Sequence, residues 1–271
     1  MKSQKNPYEG VEDLKRFNKK TFIKYCNEKI HSVDKHIVFL KKHVVNKDYT
    51  GRVIEIGSGN GKLLFRMEKE GILKEGFGFE TSKSRCKFSN KFKNSFKIKN
   101  TKIINKDFLT SKLKTNYFDL IIGTDVVINL IGGLGKNKIQ SVIKKCEKYL
   151  KTNGKLILEF MTFEKEKKLM KVNNSKKILI WKKFKSSDPF IFGLDEMSYY
   201  RGVILWQKYF IPRKFNDIKK NNIEYFRHKI LPINKNFFLN KKFSIFNEWN
   251  KNDDTDLHEF IAMKKIKNEN K

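Results

Sequence analysis

The chain has 271 residues and one alanine, Ala262. No demand of folding removes the best helix former. Together with 53 lysines, 26 asparagines and only 7 arginines, its scarcity points to a coding sequence biased toward adenine and thymine. Three cysteines, Cys26, Cys86 and Cys146, are odd in number and far apart, which excludes a disulfide framework and gives no zinc spacing. His31, His36, His43, His228 and His258 show no metal spacing either, so no metal site is expected. No run reaches the ~18 apolar residues of a membrane helix. The densest stretch, residues 118–131, holds Asp119, Asp125 and Asn129. The first residues lack an apolar signal core. These absences lead us to expect a cytoplasmic protein with no membrane partner. They do not indicate an oligomeric state.

Acidic residues are also scarce, 29 against 60 lysines and arginines, which leaves a net charge of +31. Such a field attracts polyanions. Phosphate and base recognition, however, favour arginine's planar fork over lysine's point charge. We therefore read most of the excess as a solvated lysine coat, and a nucleic-acid partner is not favoured. The 39 % hydrophobic and 13 % aromatic content excludes a largely disordered chain. A chain of this length buries ~70–75 % of its unfolded surface and needs no staples.

Residues 1–50 read as an N-terminal helical segment. From residue 52 the pattern alternates: strands at 52–56, 76–80, 101–105, 118–124 and 155–160, helices at 61–69, 83–97 and 136–150. Stretch 118–124 is almost wholly apolar, as in the buried middle of a parallel sheet. This order predicts an α/β fold, a doubly wound, Rossmann-like mixed sheet with helices on both faces. After about residue 165 the rhythm changes to strands without long helices. We expect an antiparallel β insertion over 166–235, rich in aromatics between Trp181 and Phe226, with a short helix near 234–241. Two last strands, 243–249 and 259–265, and a basic tail complete the chain. The expected divisions are 1–50, a cofactor-binding core 51–165, the insertion 166–235, and 236–271.

The most informative stretch is Val53-Ile54-Glu55-Ile56-Gly57-Ser58-Gly59-Asn60-Gly61. An apolar strand runs into three alternate glycines and then a helix. Glycines allow positive φ and close approach of a ligand to the backbone, and a helix N-terminus offers unpaired N–H groups. A nicotinamide dinucleotide site wants Gly-x-Gly-x-x-Gly, but here the third glycine comes one position early. Glu55 also places negative charge where a diphosphate would sit. A carboxylate suits a ligand with an ammonium group and no phosphate, which describes S-adenosylmethionine.

On these residues the sequence resembles the class I S-adenosylmethionine-dependent methyltransferases, whose first motif is matched by Glu55, Gly57, Gly59 and Gly61. The resemblance implies that this turn, with Ser58, approaches the methionine part of the cofactor. It implies that Glu80, ending Gly76-Phe77-Gly78-Phe79-Glu80, accepts both ribose hydroxyls. Asp107 would accept from the adenine amine, with Phe108 beside the ring. Thr124 and Asp125, after the fourth strand, would lie where cofactor and acceptor meet. Leu150-Lys151-Thr152-Asn153-Gly154 resembles the approach to the family's fifth strand, with Thr152 and Asn153 in place of proline and the first glycine; asparagine still tolerates a left-handed turn.

The acceptor is less legible. Base-amine methylation usually uses an Asp/Asn-Pro-Pro-Tyr loop after strand four, whereas Thr124-Asp125-Val126-Val127 stands here and the chain has no Pro-Pro. There is no Pro-Cys dipeptide for a cytosine nucleophile, and the paired-glutamate loop of arginine methyltransferases is missing. The insertion resembles the acceptor cover of small-molecule methyltransferases, with Tyr199, Tyr200, Trp206, Tyr209 and Phe210 as candidate walls. The expected partner is a small-molecule acceptor. The alternatives are an RNA methyltransferase and a non-catalytic nucleic-acid-binding module with this fold. No catalytic residue is assigned. His31 and His228 flank the site in such folds, and a surface or core position is the preferred reading for both.

Overall fold

A computed structural model describes residue 10 and residues 12–45, 51–124, 136–160, 243–249 and 259–265. The expected insertion, its short helix, Asp125 and His228 lie outside the described residues. Among the described residues seven strands form one sheet: β1 Gly51–Ile56, β2 Leu73–Glu80, β3 Thr101–Asn105, β4 Phe118–Gly123, β5 Leu150–Phe160, β6 Phe243–Trp249 and β7 Glu259–Lys265. Their order across the sheet is β3-β2-β1-β4-β5-β7-β6. The first five are parallel, while β7 runs antiparallel to both β5 and β6. The helices are α1 Lys19–His31, α2 Asp34–Phe39, α3 Lys62–Lys69, α4 Lys83–Ser95 and α5 Lys136–Tyr149. The expected Rossmann-like mixed sheet and N-terminal helices are therefore present.

Alternation along each strand sends side chains to opposite faces. On β1, Ile54 and Ile56 join a core with Ile121, Leu156 and Leu158, covered by Val142, Ile143 and Cys146 of α5. Val53, with Leu120, Ile122 and Ile157, meets Leu63, Leu64 and Met67 of α3 and Ile37, Leu40 and Val44 from the N-terminal segment. A third, aromatic cluster joins α1 to α4 through Phe22, Phe88 and Phe92, together with Phe65 of α3. Phe22 and Phe88 stack tilted at 5.0 Å. Asn18 caps α1, its side chain accepting from Thr21 N at 2.9 Å, and the Ser82 hydroxyl accepts from Arg85 N at the start of α4.

Several boundaries differ from the sequence expectation. β2 begins three residues before 76, and α4 stops at Ser95, because Lys97 takes a left-handed φ of 54°. Residues 118–124 lose Thr124 from the strand. β5 starts at Leu150 rather than 155. It pairs Phe118 with Leu150 and then Leu120 with Lys155, so residues 151–154 bulge out of register around Asn153 at φ 67°. The expected Asn-Gly turn is thus a kink inside one strand.

Candidate functional site

Strand order reverses between β1 and β4, where one runs toward β2 and the other toward β5. In open parallel sheets ligands bind beyond the carboxyl ends of the strands at such a switch point. Ile56 is level with Phe79 on β2, and Glu80 with Asn105 on β3. The glycine turn, Glu80, Asp107 and Thr124 therefore emerge at the same sheet edge.

The turn after β1 takes positive φ at Gly57 (66°), Gly59 (55°) and Gly61 (82°). Ser58 N donates to Phe79 O at 3.0 Å, and Gly61 N to Ser58 O at 2.8 Å. Ser58 is buried and lies against β2: a Cβ on Gly78 would come within 2.5 Å of its Oγ. Gly78 is thus a glycine because the turn must approach β2 closely, a constraint that the sequence motif alone did not reveal.

Glu80 is 4 % exposed. Its Oε2 accepts from Gly59 N at 2.9 Å and its Oε1 from Ser82 N at 2.7 Å. Asn105 Nδ2 donates to the Glu80 carbonyl at 3.0 Å. The carboxylate is held by two backbone amides, and each oxygen keeps a further lone pair for an incoming hydroxyl. Glu55 is 3 % exposed, on the α3 side of β1. Burial pushes its carboxyl up to about 8, against the opposing influence of Lys62, the Leu64 N–H in the first turn of α3 and the Thr124 side chain. Glu55 Oε2 and Ser58 Oγ are buried with no hydrogen-bond partner among the described residues.

Asp107 is exposed, and its Oδ1 accepts from Leu109 N at 2.8 Å, capping the short turn Phe108–Thr110. Phe108 is 2 % exposed and packs edge-on against Phe79 at 5.7 Å and Tyr149 at 6.3 Å, joining the hydrophobic seam under α5. His31 is exposed at the end of α1, 3.5 Å from Asp34 and 3.3 Å from Arg66, which accounts for it as a surface residue.

Sequence reasoning missed four residues that meet at this turn. Asn60, inside the motif, donates through Nδ2 to Glu12 Oε1 at 2.6 Å. Tyr25 Oη donates to the same oxygen at 2.8 Å. Arg85 lies with Nε 3.6 Å from Glu12 Oε2 and Nη1 4.0 Å from Glu80 Oε2. Their only signal was Asn60, a polar residue placed between two glycines.

The family whose description is "Methyltransferase domain" matches residues 47–209, more than half of the chain. The chain belongs to the class I S-adenosylmethionine-dependent methyltransferases. It is an enzyme of that family, and S-adenosylmethionine is its cofactor. Among solved structures it is similar to a protein of Methanococcus maripaludis assigned to the S-adenosyl-L-methionine-dependent methyltransferases, at 16 % identity, covering 99 % of both chains with a TM-score of 0.53. It is also similar to the PH0226 protein of Pyrococcus horikoshii OT3, at 14 % identity, covering 88 % of this chain and 90 % of that one with a TM-score of 0.50. At these identities the likeness is one of fold. No curated protein matches the sequence. The residues suit the cofactor: a buried carboxylate oxygen without a partner among the described residues, a second carboxylate with lone pairs to spare, and a turn of three left-handed glycines beside them. No helix among the described residues is long and apolar enough to cross a membrane, and no metal-binding cluster occurs among them.

Proposed function

We propose that this methyltransferase acts on a small-molecule acceptor. The observation that carries the reading is topological. β5 is parallel to β4, so it ends at the sheet edge that holds Glu80 and Thr124, and the next described strand in the chain, β6, begins at Phe243. The aromatic-rich stretch from Trp181 to Phe226 lies between these two strands in the sequence. It is the candidate acceptor cover, and 1–50, 51–165, 166–235 and 236–271 are the matching functional divisions. Thr124-Asp125-Val126-Val127, in place of a base-methylating loop, supports the same reading.

The cofactor supplies a methyl group on a sulfonium, ready for in-line displacement. The chain then has to bind, align and exclude water, which is where most of the rate gain arises. In this assignment Glu55 takes the methionyl ammonium, with Gly57, Ser58, Gly59 and Gly61 giving it close access to the backbone. Glu80 takes the ribose hydroxyls, Asp107 the adenine amine, and Thr124 and Asp125 face the acceptor side. Replacing Glu80 by Ala is expected to weaken cofactor binding by about 1.5–3 kcal/mol, the range for hydrogen bonds to charged groups. Calorimetry with S-adenosylhomocysteine measures it; unchanged affinity in a folded variant removes Glu80 from the ribose site.

One observation favours RNA as a second reading. Residues 81–106 carry nine lysines and arginines and no acid, and Lys83, Lys87, Lys91, Lys97, Lys99, Lys102 and Lys106 are exposed. A labelled-methyl assay on total RNA and on a small-molecule extract of the source cells separates the two. Label in the small-molecule fraction is the expected result. Label confined to RNA and abolished by ribonuclease overturns it, and such activity should fall steeply with salt.

A further inference from the structure

Glu12 belongs to no motif, yet it is 2 % exposed and sits at a left-handed φ of 59°. Both facts cost stability: a buried carboxylate must be compensated for lost hydration, and a non-glycine residue at positive φ is strained. A contact serving only to close the core would be made more cheaply by an apolar side chain. What Glu12 does instead is reach both halves of the cofactor site. Its Oε1 accepts from Asn60 Nδ2 at 2.6 Å, and Asn60 is the residue between Gly59 and Gly61. Asn60 Oδ1 in turn accepts from Lys62 N at 3.2 Å, joining the turn to the start of α3. Tyr25 Oη donates to Glu12 Oε1 from α1 at 2.8 Å. On the other side Glu12 Oε2 lies 3.6 Å from Arg85 Nε, while Arg85 Nη1 stands 4.0 Å from Glu80 Oε2. A second tie holds the same N-terminal stretch in place, Gly10 N donating to Ser84 Oγ at 2.9 Å.

We propose that Glu12 is a positioning residue for the cofactor: it pins the glycine turn through Asn60 and draws Arg85 away from Glu80, so that the N-terminal segment latches the site. The inference rests on the assignment of the glycine turn and Glu80 to the cofactor. Its mechanism is electrostatic and steric. With Glu12 gone, the guanidinium loses that carboxylate, and closing on Glu80 occupies the acceptor that the ribose hydroxyls need. The turn also loses its only described side-chain anchor to the N-terminal segment, and three left-handed residues are freed to relax. Burial, with Glu12 beside it, pushes the Tyr25 phenol up, so Tyr25 stays a donor and Glu12 the acceptor.

The test is S-adenosylhomocysteine binding by calorimetry on the full chain. Glu12→Ala is expected to weaken binding about tenfold, and Asn60→Asp, which sets two carboxylates face to face, by a similar factor. Combining Glu12→Gln with Asn60→Asp reverses the hydrogen bond, since the carboxamide at position 12 then donates to the carboxylate at position 60. This pair should bind more tightly than either single variant, a non-additive recovery of the turn's anchor even though the carboxylate at position 12 is gone. Unchanged affinity in folded Glu12→Ala, or strictly additive losses in the pair, overturns the inference. If the single variants fail to fold, hydrogen exchange on the wild type decides. S-adenosylhomocysteine should slow exchange in residues 12–18 together with the glycine turn, and protection confined to the turn overturns the latch. Failure of the wild type to bind at all would instead overturn the site assignment.

Discussion

Replacing Glu55 by Gln is expected to make the protein more stable and a poorer binder of its cofactor. Burial raises the Glu55 carboxyl from 4.5 to about 8. Between these values the folded state holds a proton that the unfolded state has released. Glu55 therefore leaves stability intact below pH 4.5, erodes it as pH rises toward 8, and adds no further loss above that. At pH 7 the accumulated loss is about 3 kcal/mol. Glutamine carries no such burden, so its advantage should be near zero at pH 4 and largest above pH 8. Denaturant melts at both pH values measure the difference. Binding should move the other way, because an ammonium beside Glu55 needs the ionised carboxylate. At pH 7 the wild type is expected to release close to one proton on binding S-adenosylmethionine, roughly 0.9 for a group at about 8. Calorimetry in buffers of different ionisation enthalpy reads it directly. Glu55→Gln should release none and bind by about 2–5 kcal/mol less tightly, as when one partner of a buried charge pair is removed. Equal proton release in both proteins would take Glu55 out of the ammonium site.

Gly61→Ala should be among the most damaging single methyl additions in the described residues. Gly61 sits at φ 82°, and a Cβ there would fall 2.7 Å from Phe65 Cζ and 3.1 Å from Ile103 Cδ1. Phe65 cannot yield, being fully buried and edge-on to Phe92 at 5.2 Å. Left-handed strain of about 1–2 kcal/mol adds to an overpacking cost of about 1–3 kcal/mol. The midpoint of thermal unfolding should fall by on the order of 10 °C. Gly71→Ala isolates the strain, since φ is 69° there and a Cβ meets nothing within 4 Å. It should cost about 1–2 kcal/mol. Equal losses in the two variants would mean that Phe65 and Ile103 move aside and that the ring does not dictate the glycine. The Gly61 variant should also bind S-adenosylhomocysteine less tightly, because the α3 N-terminus moves with the ring.

Much of this protein was legible in one dimension. Alternating apolar strands and amphipathic helices determined a two-faced sheet, because a strand's period of two and a helix's period of 3.6 are properties of local backbone geometry. Glu55 followed by glycines at 57, 59 and 61 marked the candidate site, since positive φ and a charged strand end are written in residue type and spacing. The largely apolar β4 and the last two strands were found for the same reason, with β6 and β7 at the expected bounds.

What the tertiary structure alone decided depends on residues far apart in the chain. Glu12 meets Asn60 across 48 positions, and no local pattern marks that pairing. Arg85 acquires meaning only because α4 brings it between two carboxylates. The packing of Phe108 against Phe79 and Tyr149 likewise joins residues of three separate segments. Gly78 looked like an ordinary strand residue until the turn after β1 was seen to lie on it. The shift of Glu55 is tertiary too, for desolvation depends on what covers a group from other parts of the chain. Sequence periodicity carries backbone geometry and the residue types a motif needs; burial and long-range electrostatics arise only when distant segments close on one another.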